Sequence, residues 1–240
     1  MSGVEACYGE QGPGVRRVCG EALRVEKTGG GLCLYRRGGV EVLLPSCRLS
    51  VYPVQPILYP ERLTGYVMLV LERPLALPAG GEASVCLLGG HDAAVYAGPE
   101  GGIIDAFPVG AAKYALYGPP SRGVLARWVP ARIADCGSPQ ACSMLVEVRA
   151  VNEAADAVLL RRIVYPAASI PLAYRGCRVL GPRLTVVAYS PVSARVYAEP
   201  PAERPGWSPA PPLVARGGGV AVAQLPWGEQ RISYTMLHGL

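Results

Sequence analysis

Lys113 and Tyr117 stand four positions apart in Lys-Tyr-Ala-Leu-Tyr-Gly, a spacing that a helix would turn into contact. Such a couple could relay a proton, the chemistry of a dehydrogenase. No glycine-rich dinucleotide turn precedes it, because Gly-Pro-Gly-Val-Arg-Arg near the start lacks the third glycine and the strand–helix setting. In a strand, Lys113, Ala115 and Tyr117 share one face, and the outer two lie about 13 Å apart at about 3.3 Å per residue. That separation forbids direct proton transfer and leaves an amphipathic strand, with Tyr114 and Leu116 turned inward. A binding surface can still form there from Asp105, Lys113, Tyr117 and Arg122.

Other reactive side chains fare no better. Ser121 lacks a Gly-x-Ser-x-Gly setting, and only His91 and His238 could serve it as a base. His91 sits in Gly-Gly-His-Asp, which reads as a turn. Asp92, Glu100 and Asp105 fall close together and could serve as the carboxylate pair of a glycoside hydrolase, or as ordinary turn residues. Trp207, in Arg-Pro-Gly-Trp-Ser-Pro, can pack a proline-rich loop down or meet a partner. The eight cysteines show no Cys-x-x-Cys, and no His-Glu-x-x-His occurs, so no metal site is expected. Cys7, Cys19, Cys33 and Cys47 recur at the pitch of successive hairpin strands, which suits disulfides or core packing better than the tight knuckles of zinc. Cys136 and Cys142 bracket Gly-Ser-Pro-Gln-Ala and form the best local disulfide candidate.

The elements that position these residues are strands. Ala-Leu-Arg-Val-Glu-Lys (22–27), Leu-Cys-Leu-Tyr-Arg-Arg (32–37), Val-Glu-Val-Leu-Leu-Pro (40–45) and Arg-Leu-Ser-Val-Tyr-Pro-Val (48–54) are separated by Thr-Gly-Gly-Gly, Gly-Gly and Ser-Cys, at a spacing close to that of a meander. Residues 66–72 and 83–88 are more continuously apolar and read as central strands. Residues 143–151 and 157–165 read as a hairpin turned by Asn-Glu-Ala-Ala-Asp and ended by Pro166, and 182–190 with 193–199 as another around Pro191. Residues 219–225 and 231–237 supply closing strands. The proline-rich stretch 199–212 cannot be a central strand or a helix. No window shows a capped 3.6-residue stripe.

The expected fold is therefore all-β: an antiparallel β-sandwich with very little helix. Two packed β units are expected, 1–135 and 141–240, the second of immunoglobulin-like size; one unit over 1–240 is the alternative. Half of the 240 residues are apolar and 17% are charged, which excludes a largely disordered chain. Net charge is +5, yet the basic residues are scattered in ones and twos, so no nucleic-acid patch is expected. No apolar run approaches the roughly 20 residues of a membrane span, and no secretory leader is evident. Asn152 is the sole asparagine and 24 residues are proline, both habits of thermophiles. Cytoplasmic residence is expected, where disulfides are an exception found in hyperthermophiles.

The stretches Ile-Ile-Asp-Ala-Phe-Pro-Val-Gly-Ala-Ala-Lys-Tyr-Ala-Leu-Tyr-Gly-Pro-Pro-Ser-Arg-Gly (103–123) and Val-Arg-Ala-Val-Asn-Glu-Ala-Ala-Asp-Ala-Val-Leu-Leu-Arg-Arg-Ile-Val-Tyr-Pro (148–166), with the ending Tyr-Thr-Met-Leu-His-Gly-Leu, carry a resemblance. They resemble an uncharacterised family of archaeal proteins, domain of unknown function 432, over the span from about Tyr8 to the C-terminus. The resemblance implies an archaeal, thermophilic, intracellular protein and brings no activity, cofactor or catalytic residue. The reading from the residues is a non-enzymatic binding or interaction module. It assigns no cofactor and no catalytic residue, and its partner is unknown, a protein or a carbohydrate. Its rivals are a carbohydrate-active hydrolase built on the carboxylates and a structural subunit of a larger assembly.

Overall fold

The computed structural model describes residues 7–59, 63–98, 101–121 and 123–211, with the backbone of 232–237. Among the described residues nineteen strands follow in order. The first ten are β1 (Gly9–Gln11), β2 (Gly14–Val18), β3 (Glu21–Lys27), β4 (Cys33–Arg37), β5 (Val40–Leu44), β6 (Leu49–Val54), β7 (Tyr66–Leu77), β8 (Glu82–Gly89), β9 (His91–Tyr96) and β10 (Ile103–Val109). Then come β11 (Lys113–Tyr117), β12 (Val124–Ala134), β13 (Met144–Asn152), β14 (Val158–Pro166), β15 (Ala173–Arg175), β16 (Arg178–Ser190), β17 (Ser193–Glu199), β18 (Ser208–Pro209) and β19 (Ile232–Leu237). The protein is an all-β sandwich, and its helical content among the described residues is a single 3-10 turn at Gly29–Gly31.

Three strands of the expected meander pair in order as β3-β4-β5, with β2 added before them, whereas 48–54, expected as its fourth strand, leaves it as β6 and pairs with β1 and β9. A second four-stranded sheet runs β1-β6-β9-β10. The large sheet is ordered β14-β7-β12-β8-β13-β16-β15-β18, with β11 on β12, β17 on β16 and β19 on β17. β12 ties its parts together: Arg127–Ala131 run parallel to β7, and Arg132–Ala134 then run antiparallel to β8. β13 and β16 are also parallel, so two pairings depart from the antiparallel expectation.

The hairpin expected at 143–166 does not form. β13 pairs with β8 and β16, whereas β14 pairs with β7. Asn152 is the cause. Its buried amide donates to the carbonyls of Leu77, Pro78 and Asp156, and its oxygen accepts from Ala154 N–H. The chain is thereby pinned to the end of β7 and carried between pairings instead of doubling back. The hairpin around Pro191 does form, as β16 with β17. Residues 219–225 lie outside the described residues.

One continuous core joins all three sheets, with Tyr35, Leu49, Phe107, Leu69, Ile163 and Val146 fully buried in it. A smaller cluster of Cys86, Leu88, Leu145 and Leu180 is covered by Trp207. Four disulfides cross-link the framework: Cys7–Cys177, Cys19–Cys142, Cys33–Cys47 and Cys86–Cys136. The local Cys136–Cys142 bridge is thus replaced by two distant ones. Cys136 follows β12, beside β8 and Cys86, while Cys142 precedes β13 and lies against Cys177, whose carbonyl accepts its N–H. Among the described residues no helix is long and apolar enough to cross a membrane.

Candidate functional site

Charged residues inside apolar strands need partners, and here they find one another. Asp92, on β9, is wholly buried. Its carboxylate accepts the backbone N–H groups of Leu58 and Tyr59, each at 3.0 Å, and faces Arg127 Nη2 at 3.3 Å. Arg127, on β12, is 1% exposed and also donates through Nη1 to the Tyr59 carbonyl at 2.5 Å. The Tyr114 hydroxyl donates to the same carbonyl, and its ring lies 5.2 Å from the guanidinium. Burial pushes Asp92 up to about 6, against the pull of Arg127 and the two amides.

Beside this pair is a cavity of about 70 Å³, lined by Pro56, His91, Asp92, Pro108, Arg127 and Pro130 among others. Arg127 Nε and His91 Nδ1 are buried without a hydrogen-bond partner. Ligand pockets run to roughly 300–1,000 Å³, so this space suits water and excludes a sugar ring. A larger opening of about 460 Å³ lies between Lys27 and Arg48, against the Cys33–Cys47 bridge. It is a shallow groove, and no aromatic side chain lines it.

His91 is not in a turn. It begins β9, is 1% exposed, and its Nε2 lies 2.5 Å from the Tyr8 hydroxyl. Burial pulls it down to about 3. The glycines that read as a turn serve close approach instead: a side chain at Gly90 would start 2.9 Å from the Val109 carbonyl oxygen. The Tyr8 hydroxyl also lies 3.4 Å from Cys19 Sγ, and the sulfurs of Cys7, Cys19 and Cys142 are all within 4.8 Å of one another.

Asp105 is 2% exposed and held by Tyr35 at 2.7 Å and by Arg37 in a two-point pair at 2.6 and 3.0 Å. Arg37 stacks over the Phe107 ring at 4.7 Å. This cluster fastens the meander to the second sheet. Burial and the Asp105 hydrogen bond hold the Tyr35 hydroxyl well above its ordinary value. Asp105 sits opposite Val95, three residues along β9 from Asp92. Side chains alternate across a strand, so the two carboxylates leave opposite faces of the sheet.

The residues expected to share one surface are dispersed. Lys113 is exposed and sits over the Trp128 ring at 4.8 Å, directly across from it in register. Tyr117 is buried, while Leu116 is 48% exposed; the two faces of β11 are the reverse of the expected ones at that end. Trp207 packs the proline-rich segment down, helped by the ion pair between Arg204 and Glu147. Arg122, Glu100 and His238 lie outside the described residues. Tyr8, Tyr35, Arg37 and Arg127 were not singled out in the sequence; the readable signal was a charge within an apolar run, as in Val-Leu-Ala-Arg-Trp-Val.

What β11 offers with β12 is an exposed apolar strip. β11 pairs with β12 alone among the described strands. Leu116 and Leu125 are directly paired across that ladder, and both are exposed, at 48% and 38%. Leu63, 52% exposed, precedes Thr64, whose hydroxyl donates to the Leu125 carbonyl.

Fold and site together define a disulfide-tied all-β sandwich protein with paired charges locked inside it. The chain belongs to the family described as protein of unknown function, DUF432, whose family model matches residues 8–216. Neither the curated proteins nor the solved structures contain a match to it.

Proposed function

We propose that the protein is a non-enzymatic binding module that takes a protein segment on the exposed apolar strip of β11 and β12. One observation carries this reading: Leu116 and Leu125 are directly paired across the ladder and both are exposed. The apolar side chains of a partner can bury against such a strip. Lys113 over Trp128 adds a cation and an aromatic surface at the near end. A carbohydrate-active hydrolase is less well supported. Its acid and base should share a cleft about 5–10 Å apart, and Asp92 and Asp105 are bound to arginines on opposite faces of a sheet.

The setting we propose is the cytoplasm of a thermophilic archaeon, supported by four disulfides together with a single asparagine and 24 prolines. The segments 1–135 and 141–240 we take as halves of one cooperative unit, because β8 pairs with β13 and two disulfides join them.

The test is selection of random displayed peptides on the wild-type protein, followed by binding to the double variant Leu116→Asp/Leu125→Asp. Two lost leucine contacts should weaken the selected peptides by about tenfold or more, at an unchanged melting temperature. Peptides that bind the double variant as tightly as the wild type refute the site.

A further inference from the structure

Four cysteines from four separate parts of the chain meet beside β1. Cys7 precedes β1, Cys19 turns β2 into β3, Cys142 precedes β13, and Cys177 joins β15 to β16. They form two adjacent disulfides, Cys7–Cys177 and Cys19–Cys142. Adjacent disulfides alone need no function, but two further observations set this pair apart.

The first is proximity between the bridges. The Cys7 sulfur, of one disulfide, lies within 4.8 Å of both sulfurs of the other, those of Cys19 and Cys142. The fourth sulfur, on Cys177, is bonded to Cys7, and the Cys142 N–H donates to the Cys177 carbonyl at 2.7 Å. A zinc ion bound by four thiolates at about 2.3 Å sets its sulfurs about 3.8 Å apart. The 4.8 Å limit on the three sulfurs is about 1 Å wider than that.

The second is backbone conformation. Cys19 (φ 52°) and Cys142 (φ 58°) are the only non-glycine residues with positive φ among those described. Left-handed backbone at a side-chain-bearing residue is costly and gathers at functional sites. Both instances fall in this one cluster. The Tyr8 hydroxyl, 3.4 Å from Cys19 Sγ and itself fixed by His91, is placed to hydrogen-bond a thiolate there, as outer partners of metal ligands do.

We propose that Cys7, Cys19, Cys142 and Cys177 form, when reduced, a tetrathiolate site for a zinc-like divalent cation, so that the cluster exchanges two disulfides for one bound metal. The balance is explicit. Each disulfide takes two electrons and two protons from a dithiol donor, which leaves as its own disulfide. The four thiols then lose four protons on binding the cation. In reoxidation each pair of thiolates gives two electrons to a disulfide acceptor, which takes up two protons and leaves as a dithiol, so that the metal is expelled and both bridges are restored. The site thus reads the redox state of its surroundings, and β1, the β2–β3 turn, and the starts of β13 and β16 stay fastened in either state.

The experiment uses the full chain, reduced by a thiol-free phosphine without oxygen and titrated with Co²⁺, then with Zn²⁺. The expected result is one equivalent of cobalt with the intense visible bands of tetrahedral thiolate coordination, bleached by zinc and absent from the oxidised chain. The variant Cys33→Ser/Cys47→Ser/Cys86→Ser/Cys136→Ser keeps the four cluster thiols and should keep the bands. Cys7→Ser/Cys142→Ser should lose them. Failure of the reduced wild type to bind cobalt, folded or not, overturns the proposal. So do bands that survive Cys7→Ser/Cys142→Ser, or that vanish with the other four cysteines.

Discussion

Asp92 and His91 are neighbours in the chain and titrate in opposite senses. His91 falls from 6.5 to about 3 in the fold, so between those values the unfolded chain holds the extra proton and stability rises with pH. Asp92 rises from 3.8 to about 6, so across that span the folded chain holds the extra proton and stability falls with pH. The groups facing them are Tyr8 on the one side, and Arg127 with two backbone amides on the other. The two slopes, each about 1.4 kcal/mol per pH unit, cancel between roughly pH 4 and 6. Chemical denaturation of the wild type across that range should give a flat profile. Asp92→Asn should expose a rising slope, and His91→Gln a falling one. Equal profiles in all three proteins contradict the assignment. Burial separates two other ion pairs in the same way. Arg37→Ala strips the buried Asp105 of its cation and should cost about 3–5 kcal/mol. Arg149→Ala, whose pair with Glu82 is about half exposed, should leave stability nearly unchanged. Urea titration of the two variants decides whether burial is the distinction.

Strands were legible in the sequence, but their partners were not. Alternation over 143–151 and 157–165 marks each segment correctly as β, because period two is a property of one strand and its two faces. Pairing depends on what else arrives, and here Asn152 binds carbonyls at the end of β7 and diverts the chain. Asn152→Ala leaves those carbonyls and Ala154 N–H unsatisfied, and should lower stability by about 2–4 kcal/mol by urea titration. A change under about 0.5 kcal/mol removes Asn152 as the organiser of that turn. The β9 start was misread for a related reason: two glycines look the same in a turn and at a close crossing. The sequence offers Asp105 only as a surface or carboxylate candidate, and its buried pairing is hidden there, since Arg37 lies 68 positions away in the chain. The face of Tyr117 was misassigned because alternation does not say which side of a strand meets the core.

Over the whole molecule, the disulfides do what a small number of long-range contacts can. The Cys7–Cys177 bridge closes a separation of 170 residues, worth about 5 kcal/mol in the chain-entropy account. Cysteine positions alone cannot reveal such pairing, because connectivity follows from the finished fold. Reduction in the presence of a chelator should lower the melting temperature by about 10 °C or more. The loss should appear as one transition by both Trp fluorescence and circular dichroism if the two halves unfold together; two separate transitions divide the chain at 135–141. The central claim concerns the outside of this framework: its interior charges are committed to holding it together, and the leucine strip of β11 and β12 is the surface proposed for a partner. Amide hydrogen exchange with and without a selected peptide tests that claim most directly. The account predicts slowed exchange within Lys113–Tyr117 and Val124–Trp128; unchanged exchange there, with protection elsewhere on the molecule, contradicts it.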